Sequence, residues 1–183
     1  LQILPHEILA HRTSPTNIGL YLLSVACARQ FGWIGTQDLL ARLELMRCAA
    51  RVASLDIGPC VGFEAIAGDA APPEQAYARY LAGQATAADA ALLPPAHRAL
   101  VGTAPASLGG IEDPLSRLIA AGVLLRRGVA SPAVVADAVE TASQRGWRRP
   151  VLAWLGVQLR QAQAAGAADE AARIQRRIDI VAP

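Results

Sequence analysis

Asp38, Glu44, Asp56 and Glu64 are the side chains near the front of this chain with the right groups for acid–base chemistry. Cleaving an acetal bond takes two carboxylates, one on each side of it. Asp38 and Glu44 stand six residues apart on an expected helix, and that spacing does not put them on one face. Asp56 and Glu64 fall in an irregular stretch, where spacing fixes nothing. Solvent-facing roles are expected for all four. His6 and His11 are two ligands at most, too few for a metal site. Cys27, Cys48 and Cys60 form no C-x-x-C pair and have no histidine at metal-ligand spacing. No metal and no cofactor is therefore expected. Nucleophile-elbow, zincin, Walker and dinucleotide patterns are absent, and Gly109-Gly110 is too short to cradle a phosphate. No catalytic set is defensible from these residues.

A second cluster lies further on, at Arg145, Trp147, Arg148 and Arg149. Arginines beside aromatics suit nucleic acid or a sugar, but Trp147 and Trp154 equally suit space-filling between helices. From residue 108 onward there are 10 Arg against 7 Asp plus Glu, a thin field for binding phosphates. The cluster is carried forward as a candidate surface for a protein partner, with nucleic acid disfavoured.

The elements behind that cluster follow a regular step. Pro114, Pro132 and Pro150 are 18 residues apart both times, and proline suits the first turn of a helix. Asp113 and Ser131 precede two of them as caps. Gly128, Gly146 and Gly166 follow as terminators. Helices are expected at 114–127, 132–144, 150–165 and 168–181. Their stripes are Leu115, Leu118, Ile119, Val123 and Leu124; Val134, Val135, Ala138 and Ala142; Leu152, Leu155 and Leu159; and Ile174, Ile178 and Val181. No such helix hides its stripe alone, so neighbours must stack. The step resembles helix-pair repeats, and Ala164 to Ala172 resembles the small-residue turn of tetratricopeptide-like pairs.

Composition allows one sizeable domain or two small ones in 183 residues, 53% of them hydrophobic. Alternating β-branched runs are scarce, so a sheet is not expected. All 17 basic residues are arginine, a bias that fits a GC-rich bacterial genome. A net charge of +2 selects no partner class. No run of 18 apolar residues would span a membrane. The chain opens on Leu1, as expected of a processed or partial product, and shows no basic-then-apolar leader; cytoplasm and periplasm both fit. A Cys48–Cys60 bridge would need an oxidising compartment.

At the front, Ser14-Pro15 opens a helix with Leu20, Leu23 and Cys27, or Leu22 and Ala26, marking its apolar side. Cys27 reads as a small buried hydrophobe. Phe31-Gly32 ends that helix. Thr36 caps a second, which presents Leu39, Leu40, Leu43 and Met46. Residues 10–44, AHRTSPTNIGLYLLSVACARQFGWIGTQDLLARLE, resemble the opening of the glycoamylase-like region of cyclic β-1,2-glucan synthases, most specifically in SPTNIGLYL joined to FGWIG. That resemblance implies an (α/α)-barrel region acting on or near β-1,2-glucan. It would place Arg12, Thr13, Ser14, Thr16 and Asn17 at a helix mouth facing a sugar cleft, with Trp33 against a sugar ring. The family's later aromatic FYNWYDT-like and VDSGNL-like segments do not occur here.

The expected architecture is all-α: stacked antiparallel helix hairpins in a solenoid-like array, with an irregular Pro/Gly-rich middle. Residues 1–54 form a helical hairpin, 55–107 a linker with short helices (Glu74–Leu81 among them, with Tyr77 and Tyr80 as packing), and 108–183 a helical-repeat domain. Residues 102–112 read as a flexible joint. A non-catalytic interaction or scaffold protein is the first functional reading. A partial carbohydrate-active domain, taking β-1,2-glucan and inactive alone, is the second.

Overall fold

The computed structural model describes residues 15–56, 72–105 and 107–182. Among them lie nine helices and no strand: α1 Pro15–Gln30, α2 Thr36–Ala53, α3 Pro72–Leu81, α4 Ala87–Ala90, α5 Pro95–Arg98, α6 Pro114–Arg126, α7 Pro132–Gln144, α8 Arg148–Ala164 and α9 Ala168–Val181. The fold is all-α.

The helix boundaries follow from capping chemistry. Asp113 Oδ2 accepts the Ser116 amide at 2.7 Å and opens α6. Ser131 Oγ accepts the Val134 amide at 3.2 Å and opens α7. Helix α8 starts at Arg148, two residues ahead of Pro150. First-turn amides have no intrahelical partner, so proline is tolerated throughout that turn. Helices α6, α7 and α8 then end alike. Gly128, Gly146 and Gly166 take φ of 72°, 67° and 70°. The residue after each donates back to the helix: Val129 to the Leu124 carbonyl at 3.0 Å, Trp147 to Ala142 at 3.0 Å and Ala167 to Ala162 at 2.9 Å.

Helix α6 is the centre of the packing. Every residue from Leu118 to Leu124 is buried, and no charge interrupts the run between Arg117 and Arg126. A helix apolar on all sides needs cover on all sides. Helices α2 and α7 supply most of it, α3 and α5 touch it, and α8 and α9 follow α7 as successive hairpins. The approach is close at Gly122, where an added Cβ would stand 2.4 Å from the Val52 carbonyl oxygen of α2. One cluster of buried side chains runs from Leu45 to Ile174, across the positions near 55 and 108 where composition changes. Trp154 of α8 has no exposed surface, and its indole N–H donates to the Ala53 carbonyl at 3.1 Å. The space-filling role is the one observed for this tryptophan.

Several expectations for the front and middle need correction. Thr36 is the first residue of α2 and not its cap; the Gly35 amide donates instead to Asp38 Oδ2 at 3.0 Å. Helix α2 buries Ala41, Leu45, Cys48, Ala49, Val52 and Ala53, a face rotated from the expected Leu39, Leu40, Leu43 and Met46. Close approach to Gly122 selects the small-residue side over the leucine side. In α1 the expected stripe is turned outward: Leu20 and Leu23 are 56% and 59% exposed, and Cys27 is exposed too. Val25 is the buried side chain of that helix among residues 19–30, and among the described helices α2 is its main neighbour.

The stretch 102–112, expected to be a flexible joint, is anchored at both ends. The Arg127 guanidinium donates to the Leu100 and Thr103 carbonyls at 2.8 and 3.1 Å. Leu108 and Ile111 are buried, the Leu108 amide donates to Asp137 Oδ2 at 2.8 Å, and Arg117 Nε donates to the Ile111 carbonyl at 2.9 Å.

Candidate functional site

Arg12, Thr13 and Ser14 lie outside the described residues, as do His6, His11, Cys60 and Glu64. Thr16 and Asn17 fall in the first turn of α1. Trp33 stands in the short turn between α1 and α2, 78% exposed, and beside it Phe31 is 68% exposed. Their ring centroids are 5.3 Å apart with planes tilted by 34°. The turn itself is braced: Arg29 Nε donates to Thr36 Oγ1 at 2.9 Å. The result is an aromatic ledge in solvent.

Of the four front carboxylates, Asp38, Glu44 and Asp56 are among the described residues, and each has a local partner. Asp38 holds the start of α2, Glu44 accepts Arg47 Nε at 2.8 Å, and Asp56 lies 3.4 Å from Arg51 Nε. The structure does not bring any two of them together across a cleft. Cys48 is disulfide-bonded; the expected partner Cys60 lies outside the described residues, and Cys27 is a free thiol. Among the described residues no group of three or more His, Cys, Asp or Glu is arranged to hold a metal ion.

At the other end, Arg145, Arg148 and Arg149 are exposed and Trp147 is half-buried. Trp147 precedes α8 without a capping side-chain bond and packs against the core. Arg148 Nε donates to the Val181 carbonyl at 2.8 Å, and Arg177 donates to Ser143 Oγ at 2.8 Å. These bonds tie the end of α9 to the α7–α8 turn. Part of the arginine cluster is therefore structural.

Two features were not singled out from sequence. The first is a buried polar group in the middle of the chain. His97 is 2% exposed, shares a hydrogen bond of 3.0 Å with the Tyr80 hydroxyl and packs against the rings of Tyr77 and Tyr80. Burial pulls the imidazole down from 6.5 to about 4, with the Asp113 charge acting weakly against it. Burial, helped by Asp113, pushes the Tyr77 phenol up to about 12. Nearby, Asp89 is buried and paired with Arg79. It also accepts the Thr86 amide and hydroxyl, each at 2.8 Å. The Arg79 bond first, then those from Thr86, hold its carboxyl well below the usual carboxylate range. These groups fix the short helices α4 and α5 against α3.

The second feature is an open pocket of about 230 Å³ between the ends of α2 and α6, lined by Arg51, Val52, Leu55, Asp56, Gly122, Leu125 and Arg126. Leu55 ends α2 at φ 53°, where α3, α6, α7 and α8 use glycine. Among the described lining residues the acid is Asp56, which lies 3.4 Å from Arg51 Nε.

Fold and site together define an all-α protein of stacked helix hairpins with an exposed apolar front. No protein-family model matches the chain, and no solved structure matches it. A 40-residue segment is 65% identical to the cyclic beta-(1,2)-glucan synthase NdvB of Rhizobium meliloti (strain 1021). That segment is 22% of this chain and 1% of that protein. The resemblance seen in residues 10–44 is thus a partial one, and the rest of the chain is unmatched by these comparisons.

Proposed function

We propose that the chain is a non-catalytic helical interaction protein, with tetratricopeptide-like hairpins α6–α9 as the scaffold and the outer face of α1–α2 as the contact surface. The outward stripe of α1 carries this reading. Leu20 and Leu23 are 56% and 59% exposed, on a helix whose 16 residues include one charged side chain, Arg29. Contiguous apolar surface of this kind marks an interaction site. Arg145 and Arg149, exposed beside Trp147, offer a second and more polar contact at the opposite end of the chain. Affinity capture with the wild-type chain and with Leu20→Asp/Leu23→Asp tests the reading. A discrete set of proteins retained by the first and lost by the second is expected; identical recoveries would count against it.

A second reading has its own support, the Phe31–Trp33 ledge within a segment similar to a glucan synthase. On that reading the ledge stacks on β-1,2-linked glucose. Titration calorimetry with β-1,2-gluco-oligosaccharides should give heat that Trp33→Ala removes. No heat at millimolar ligand would eliminate it.

A further inference from the structure

We propose that the pocket between the ends of α2 and α6 binds a small organic monocarboxylate with an apolar body, its carboxylate held by Arg126. Size is the first argument. A cavity of about 150 Å³ holds benzene. By proportion, about 230 Å³ admits a molecule half as large again, about nine non-hydrogen atoms. Benzoate is of that size, and the pocket falls below the roughly 300 Å³ at which sites for drug-sized ligands begin. Val52, Leu55 and Leu125 wall the space with hydrocarbon, and Gly122 adds no side chain to fill it.

Charge is the second. The charged side chains of the lining are Arg51, Asp56 and Arg126. Asp56 lies 3.4 Å from Arg51 Nε, so those two charges largely offset one another. Arg126 is exposed, and its guanidinium makes no hydrogen bond or ion pair among the described residues. One uncompensated positive charge therefore stands beside an apolar space. A planar guanidinium takes a carboxylate through two parallel hydrogen bonds. A single net charge matches a monoanion, whereas the second charge of a phosphate dianion would be repelled by Asp56. Backbone conformation is the third argument. Leu55 occupies the left-handed region at φ 53°, where α3, α6, α7 and α8 use glycine. A leucine there carries a conformational cost, and such costs gather at ligand sites. The side chain kept at that cost packs against the core and walls the pocket.

Titration of the isotope-labelled full chain with sodium benzoate, followed through backbone amide shifts by NMR, tests the proposal. Shifts centred on residues 51–56 and 122–126 are expected, saturating with a Kd on the order of 0.1–1 mM, the range of so small a ligand. Benzyl alcohol, a neutral molecule of similar shape, should bind about 10-fold more weakly for want of a charge-assisted bond. Phenyl phosphate should bind no more tightly than benzoate. Arg126→Gln keeps the stem of the side chain and should weaken benzoate by about 10-fold, leaving benzyl alcohol unchanged. Leu55→Gly suits the backbone at φ 53°, so the fold is kept while a wall is lost; both ligands should weaken by about 5-fold. The proposal would be overturned by an absence of shifts at about 10 mM benzoate, ten times the weakest expected Kd, or by shifts confined to other segments. Equal binding of benzoate and benzyl alcohol, tighter binding of phenyl phosphate, or either variant binding benzoate as the wild type does would overturn it as well.

Discussion

Gly122→Ala is the change that asks most of the packing between α2 and α6. Taken as a helix substitution alone, it should stabilise, because glycine costs about 1 kcal/mol against alanine inside a helix. The new methyl, however, would stand 2.4 Å from the Val52 carbonyl oxygen, 2.7 Å from Val52 Cγ1 and 3.0 Å from the Val52 carbonyl carbon. Two of those atoms are backbone and cannot rotate away. Reaching an ordinary contact near 3.4 Å requires α2 and α6 to part by about 1 Å. A gap of that size forfeits a quarter to a half of each dispersion contact along the seam, and overpacking of this kind costs about 1–3 kcal/mol or more. Set against the propensity gain, a net loss of up to about 2 kcal/mol is expected, a fall in Tm of up to about 4–8 °C for a chain of this size. Gly156→Ala is the matched control. It lies within α8, and its methyl would meet only the end of the Arg160 side chain at 3.7 Å. Urea melts followed by far-UV circular dichroism should show Gly156→Ala more stable by about 1 kcal/mol and Gly122→Ala less stable. If both variants gained stability alike, α2 would not rest on α6 as described.

Three further outcomes follow from other contacts. Trp154→Phe removes the donor to the Ala53 carbonyl and should cost about 1–3 kcal/mol in the same melts, since that acceptor is buried; a silent change would mean the bond is not made. His97 is held neutral, its folded pKa near 4 against 6.5 when free. The stability it lends is complete above pH 6.5 and falls as pH drops toward 4, by up to about 3 kcal/mol, and His97→Gln should flatten that stretch of the stability–pH curve. Asp89 has a lowered carboxyl pKa, so its contribution persists through that window and is lost only as pH falls below the ordinary carboxylate range. Asp89→Ala should therefore lower stability by about 1–2 kcal/mol at neutral pH, from the lost cap and ion pair.

Much of the back half was legible because its signals are local. Asp113-Pro114 and Ser131-Pro132 fix helix starts by capping, and Gly128, Gly146 and Gly166 fix the ends by positive φ. The stripes of α6 and α7 are buried much as spacing required. Local signals failed where tertiary approach decides. On α2, leucines and alanines offered two usable faces, and Gly122 on another helix selected the alanine side. On α1 the stripe was recognised correctly as apolar, but no rule of spacing says whether the same chain covers it. Trp154 reaching Ala53 joins residues 101 positions apart, and the His97–Tyr80 bond spans two short helices; neither leaves a trace in periodicity. Trp33 is set apart by a resemblance, carried by SPTNIGLYL and FGWIG; the residues alone do not distinguish it from a packing aromatic.

Amide hydrogen exchange followed by mass spectrometry tests most directly whether the glucan synthase-like front is built into the same core as the helices behind it. Peptides from Leu45–Ala53 and from Leu118–Leu124 should exchange together, at the rate of global unfolding, while α1 exchanges much faster. Rapid exchange throughout α2 with α6 still protected would contradict that account.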